Sequence, residues 1–123
     1  MTIIAAGREV IEAINAAKAL EARGIDARVI DMFTIKPLDR EAVIRAAKET
    51  GAIVSVENHN VIGGLGSAIA EALAAEYPVP MEFVGTKDHF GEVGLTPVLK
   101  ERFGLMAEDI VTAVEKVMKR KGK

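Results

Sequence analysis

Short runs of β-branched and aliphatic residues alternate along this chain with longer stretches whose apolar positions recur every three or four residues. Thr2 to Ala5 reads as a short buried strand, and Gly7 turns the chain into a helix from about Arg8 to Arg23. Val10, Ile14, Ala17 and Leu20, with Ile11 and Ala13 beside them, predict the buried face of that helix. Gly24 stands where a helix favours a left-handed C-terminal residue. Ala27 to Met32 reads as a second strand. The Thr34–Leu38 segment is predicted as a loop, because Pro37 drives Lys36 out of helical geometry.

Asp39 is a candidate N-cap for a helix to about Glu49, with Val43, Ile44 and Ala47 inward and Gly51 as its stop. Ala52 to Val56 predicts a third strand, which delivers Glu57, Asn58 and His59 at its carboxyl end. After a glycine-rich stretch, Ile69, Ala72 and Leu73 mark a helix from about Ser67 to Glu76, ended by Pro78 and Pro80. Met81 to Val84 gives a fourth strand. Thr96-Pro97 reads as an N-cap with proline at the first helical position. A last helix, about Glu108 to Arg120, carries Ile110, Val114 and Val117 on one face. Alternating strands and helices predict βαβ units and a sheet layered with helices on both faces.

The length, 123 residues, suits one domain spanning 1–123. Half the residues are apolar but only five are aromatic, so the core must be built from Ile, Val, Leu and Ala. The net charge of −2, with acids and bases mixed, offers no basic surface for nucleic acid. The basic stretch from Lys116 to Lys123 complements a helix dipole. The absence of cysteine excludes disulfides, thiolate metal sites and cysteine nucleophiles. Asn58 to Ala70, the longest uncharged run, holds three glycines and is too short to span a bilayer, and the N-terminus lacks the basic start of a signal peptide. A cytoplasmic location without membrane contact is expected.

Two segments could carry chemistry. In the first, Glu57, His59, Gly63, Gly64, Gly66 and Ser67 take the chain from a strand through a glycine loop into a helix N-terminus. Free N–H groups there attract anions, and strand carboxyl ends are where open α/β sheets bind ligands. The spacing is neither Gly-x-Gly-x-x-Gly nor a P-loop, so tight packing, hydrogen bonds from Glu57 and His59, or contact with a neighbouring domain compete with anion binding. In the second, Lys87-Asp88-His89-Phe90-Gly91-Glu92 combines a carboxylate pair with a histidine, but loops of this composition are mostly structural. Ser55 and Ser67 lack a nucleophile-elbow context, and two histidines without spaced partners make a poor metal site. No catalytic, cofactor-binding or metal residue is expected.

The string Thr2-Ile3-Ile4-Ala5-Ala6-Gly7-Arg8-Glu9-Val10 resembles the entry strand and helix of the transketolase C-terminal domain. Ile35-Lys36-Pro37-Leu38-Asp39, the Glu57–Ser67 turn, Asp88-His89-Phe90-Gly91-Glu92-x-Gly94, Phe103-Gly104-Leu105 and Ala107 to Val111 continue the likeness in order. His89, Val93 and Met106 depart from it, standing where the family often has Arg, Ser and a Thr or Ser cap. The resemblance implies a three-layer α/β fold, an open twisted sheet of about five mostly parallel strands with one antiparallel edge strand, the fifth falling between Lys87 and Thr96. It implies a parent enzyme, dependent on thiamine diphosphate and a divalent metal (Mg or Ca), that moves two-carbon ketol units between sugar phosphates in the pentose phosphate pathway. In such enzymes other domains hold the cofactor, and this domain serves assembly. The expected partners are those cofactor-binding domains or subunit and a second copy in a homodimer.

On this reading the chain is a cut piece or the last part of a split enzyme, and is inactive alone. The same domain type occurs in deoxyxylulose phosphate synthase and in 2-oxo acid dehydrogenase β subunits, which are the alternatives along with a small anion-binding module.

Overall fold

The computed structural model describes residues 1–122. In chain order the elements are β1 (Thr2–Ala5), α1 (Glu9–Glu21), β2 (Arg28–Asp31), α2 (Arg40–Thr50), β3 (Ile53–Asn60), α3 (Leu65–Glu76), β4 (Met81–Thr86), α4 (Thr96–Arg102) and α5 (Ala107–Lys121). The four strands form one sheet in the order β2-β1-β3-β4, every neighbouring pair parallel. Residues alternate faces along a strand, so Ile3, Ala5, Val54 and Val56 point one way and Ile4 and Ile53 the other. The first set packs under α1 and α5 through Ala13, Ala16, Leu20, Ile110, Val114 and Val117. The second packs under α2 and α3 through Val43, Ala47, Leu65, Ile69 and Ala72. Each buried Ile, Leu or Val contributes about 1.5–3 kcal/mol, so two aliphatic layers suffice without aromatic residues.

Most sequence expectations hold. Asp39 caps α2, its Oδ1 accepting the Ala42 N–H at 3.0 Å, and Gly51 ends that helix at φ 71°. Ile69, Ala72 and Leu73 are buried on α3, as are Ile110, Val114 and Val117 on α5.

Three expectations need correction. The sheet has four strands, all parallel, and no strand lies between Lys87 and Thr96. Gly91 and Gly94 interrupt that segment, and Phe90, Val93 and Leu95 are exposed, so it has no apolar face to lay on the sheet. The buried face of α1 is Glu9, Ala13, Ala16 and Leu20 rather than Val10, Ile14 and Ala17, and Ile11 and Ile14 are exposed. Small alanines let α1 lie close to the sheet and α5. Finally, Thr96 is the first residue of α4 and Leu95 its cap, without a side-chain hydrogen bond. Proline at Pro97 therefore falls one position later than expected.

Candidate functional site

β3 runs past Val56 with a bulge before Asn60, and this bend aims Glu57 at the start of α3. Glu57 is buried, and its two carboxylate oxygens accept the N–H groups of Leu65 and Gly66, each at 2.8 Å. The strand thus caps the helix. Ser67 Oγ accepts the Gly63 N–H at 2.8 Å and donates to the Val61 carbonyl at 3.2 Å, closing the loop. Gly63 requires its residue type because φ is +79°. His59 is exposed and donates through Nδ1 to the Asn60 carbonyl at 2.7 Å, with Glu57 Oε1 at 3.6 Å. All six residues singled out in the sequence are therefore brought together. The N–H pair that an external anion would use is already occupied by Glu57.

The second loop disperses its charges. Asp88 Oδ1 accepts a hydrogen bond from Asn60 Nδ2 at 3.1 Å, whereas Glu92 pairs with Arg102. His89 stacks on Phe103 with ring centroids 4.9 Å apart, and Lys87 donates to the Phe83 carbonyl at 3.0 Å. The carboxylate pair does not converge on one point. Among the described residues, no three His, Asp or Glu gather as a metal site. These residues do not fit a magnesium diphosphate, which needs clustered oxygen ligands and free phosphate donors.

Sequence reasoning did not single out Glu9 or Lys100. Glu9 heads α1 on its inward face and is fully buried, with Lys100 Nζ 3.6 Å from its Oε1. Burial pushes its carboxyl above the ordinary carboxylate range, and Lys100 opposes the rise. Its only sequence signal was a stripe of small residues, Ala13 and Ala16, one position out of phase with the larger apolar ones.

Glu82, on β4, takes Lys116 Nζ at 2.7 Å and Arg120 Nη1 at 2.6 Å, tying α5 to the sheet edge. Burial alone would raise its pKa, but the two hydrogen bonds outweigh it and hold the carboxyl low.

The surface carries many large apolar side chains. Ile11 and Ile14 on α1, Phe33 and Ile35 after β2, Ile62 in the glycine loop, and Phe90, Val93, Leu95 and Val98 around α4 are all exposed. No helix of the described residues is long and apolar enough to cross a membrane.

The family model described as transketolase, C-terminal domain, matches residues 1–110. The 6-deoxy-6-sulfo-D-fructose transketolase subunit SqwH of Clostridium sp. (strain MSTE9) is 54% identical over 121 residues, covering 98% of this chain and 38% of that protein. A subunit of the apulose-4-phosphate transketolase of Phocaeicola vulgatus is 45% identical over 97% of this chain and 38% of its own length. 1-Deoxy-D-xylulose-5-phosphate synthase 1 of Geobacter sulfurreducens is 40% identical over 99% of the chain and 20% of the enzyme. Among solved structures, a split-gene transketolase in an inactive β4 tetramer superimposes with a TM-score of 0.91 and 52% identity, covering 98% of this chain and 38% of that one. A transketolase from Pichia stipitis reaches 0.72 at 27% identity over 99% of this chain and 17% of its own. The chain thus spans well under half the length of these relatives. With its sheet, its Glu57-capped turn and its match from strand β1 into helix α5, the chain belongs to the transketolase C-terminal domain family.

Proposed function

We propose that this chain is the C-terminal domain of a split transketolase, serving assembly of an enzyme whose catalytic and cofactor groups lie elsewhere. The observation that carries this reading is the exposure of Ile11, Ile14, Phe90, Val93, Leu95 and Val98 around a core that is already complete. Surfaces of this kind mark contacts with partner chains or domains. The partners are the thiamine diphosphate-binding domains or subunit and a second copy of the same protein. The glycine loop from Glu57 to Ser67, with Ile62 at its tip, is assigned to such an interface rather than to an anion.

The reaction of the assembled enzyme is transfer of a two-carbon ketol unit. Relatives are named for 6-deoxy-6-sulfo-D-fructose and apulose-4-phosphate, so the donor is assigned only as an anionic ketose, with the pentose phosphate pathway one setting among several. Thiamine diphosphate and its divalent metal (Mg or Ca) would be bound by the partner. The location assigned is the cytoplasm.

Reconstitution tests the proposal. The chain is added to a transketolase truncated before this domain, and sedimentation and ketol transfer are both followed. Association with return of transfer supports the assembly role. Calorimetric titration of the chain alone with thiamine diphosphate and magnesium should be flat, and tight binding there would overturn the reading. The 40% identical synthases support a second reading, the same domain of a deoxyxylulose phosphate synthase. The reading frame upstream of this one separates the two.

A further inference from the structure

The two edges of the sheet differ. On β4 the outward carbonyls of Met81 and Phe83 are already taken, by Arg120 Nη1 at 2.7 Å and Lys87 Nζ at 3.0 Å, which closes that edge to another strand. β2 has no such cover. The N–H groups of Arg28 and Met32 donate to the carbonyls of Met1 and Ala5, at 3.0 and 2.8 Å. The alternate residues Val29 and Asp31 therefore direct their N–H and C=O groups away from the sheet. Arg28, the cation of this strand, is turned to Glu49 rather than onto the edge. An open edge of this kind is a template for a further strand.

Beside the open edge, α1 and β2 enclose a groove of about 250 Å³ with Ile14, Ala17, Ala27 and Val29 as its apolar lining. Lys18 is the one cation among the lining residues, against Glu21 and Asp26. Phe33, two residues past Asp31, is 86% exposed. Met32 between them is buried on the α2 face, so Phe33 follows Val29 and Asp31 on the α1 face. An aromatic knob and an apolar groove thus lie on the same surface, spaced along one strand.

We propose that the β2 edge is the surface on which a second copy of this chain docks, antiparallel about a two-fold axis at Ile30, so that the two sheets run on as one. This deepens the assembly reading, on which it rests, by naming the surface. In that register Val29 of one copy and Asp31 of the other exchange their outward backbone hydrogen bonds, and Ile30 faces its own equivalent. Phe33 falls opposite Ala27 of the second copy and fills its groove, and Asp31 comes beside Val29 in the groove that Lys18 lines. The neighbouring registers are worse. One sets Asp31 against Asp31, like charges directly opposite. The other centres on Val29 and carries Phe33 past the groove onto Ile25. Because α1 lies against β1 and β2, the two α1 helices stand about two strand spacings apart, roughly 10 Å. Packed helices ordinarily lie about 8–10 Å apart, so the exposed Ile11 and Ile14 of the two copies meet between them.

The chain contains no cysteine, so a single introduced thiol reports the two-fold axis. Equivalent residues facing each other at a non-hydrogen-bonded antiparallel position lie about 4.5 Å apart, within the roughly 4.4–6.8 Å that a disulfide spans. Ile30→Cys should therefore form a disulfide-linked dimer under mild oxidation at least tenfold faster than Glu108→Cys, an exposed site on α5. In sedimentation equilibrium the parent chain should associate to a dimer as concentration rises. Asp31→Pro deletes an outward donor and spares the bonds to β1, and Phe33→Asp lies at an exposed site. Each should weaken the dimer at least tenfold, and either suffices if the other does not fold. A monomeric parent, a dimer unaffected by both variants, or no faster linkage at Ile30 would each overturn the proposal. Reconstitution with the truncated transketolase keeps the two readings apart: return of ketol transfer beside any of these failures removes the edge and leaves the assembly role standing.

Discussion

A β-carbon placed on Gly64 would stand 1.9 Å from Glu57 Oε1. Gly64 has a negative φ of −101°, so its lack of a side chain is required by this close approach and not by backbone conformation. Gly64→Ala should therefore push Glu57 off the start of α3 and destabilise the fold by about 2–4 kcal/mol, since two buried N–H groups would lose a charged partner. Glu57→Ala should cost a similar amount. Urea midpoints for the two variants and their double mutant check this: non-additivity is expected, and fully additive losses would mean that the residues do not act through one contact.

Met106 is the N-cap of α5 and makes no side-chain hydrogen bond, although Asp109 Oδ2 accepts the Met106 N–H at 2.9 Å. Half of a capping box is present. A Thr at this position adds the missing acceptor, so Met106→Thr should stabilise the domain by about 1 kcal/mol. An unchanged or lower thermal midpoint would show that Met106, which is partly buried, contributes more by packing.

Two carboxylates should give opposite pH dependences. Glu9 is raised above its ordinary value of 4.5, so the folded state holds the extra proton and stability falls as pH climbs from about 4.5 through the raised value. Arg8, Glu12 and Lys100 are the charged groups around it, and Lys100 limits the loss. Glu9→Gln should thus compare more favourably with the parent at pH 7 than at pH 4. Glu82 is held below 4.5, so its contribution is present above that value and is lost as pH falls through the lowered one. Glu82→Gln should be less stable than the parent at pH 7 and converge with it in acid. Parallel stability curves for parent and variants would refute both assignments.

Val93 and Leu95 are almost fully exposed, at 105% and 76% of their reference areas. Replacing both with Asp should not lower stability, because both side chains face solvent and Asp is a better N-cap for α4 than Leu at position 95. If the surface around α4 meets a partner, the double variant should weaken self-association and reconstitution in sedimentation runs. Unchanged association with undiminished stability would remove this strip from the interface.

The alternation of strands and helices, the Asp39 cap, the Gly51 stop and the inward faces of α3 and α5 follow from local rules, and the sequence by itself determined them, together with the family. Only the tertiary structure chose the face of α1. Both the Val10–Ile14–Ala17 and the Glu9–Ala13–Ala16–Leu20 stripes have helical spacing, and which is buried depends on how closely α5 and the sheet approach. The missing fifth strand has a similar cause: a strand needs a partner edge as well as a sequence, and Gly91 and Gly94 break the segment before any edge is reached. The two glutamates differ for the same reason. Glu57 lies within β3, where a bulge delivers it to two N–H groups, whereas Glu9 opens α1 after β1 and meets no hydrogen-bond donor. Partners of buried polar groups are set by contacts far apart in sequence, which no local pattern records.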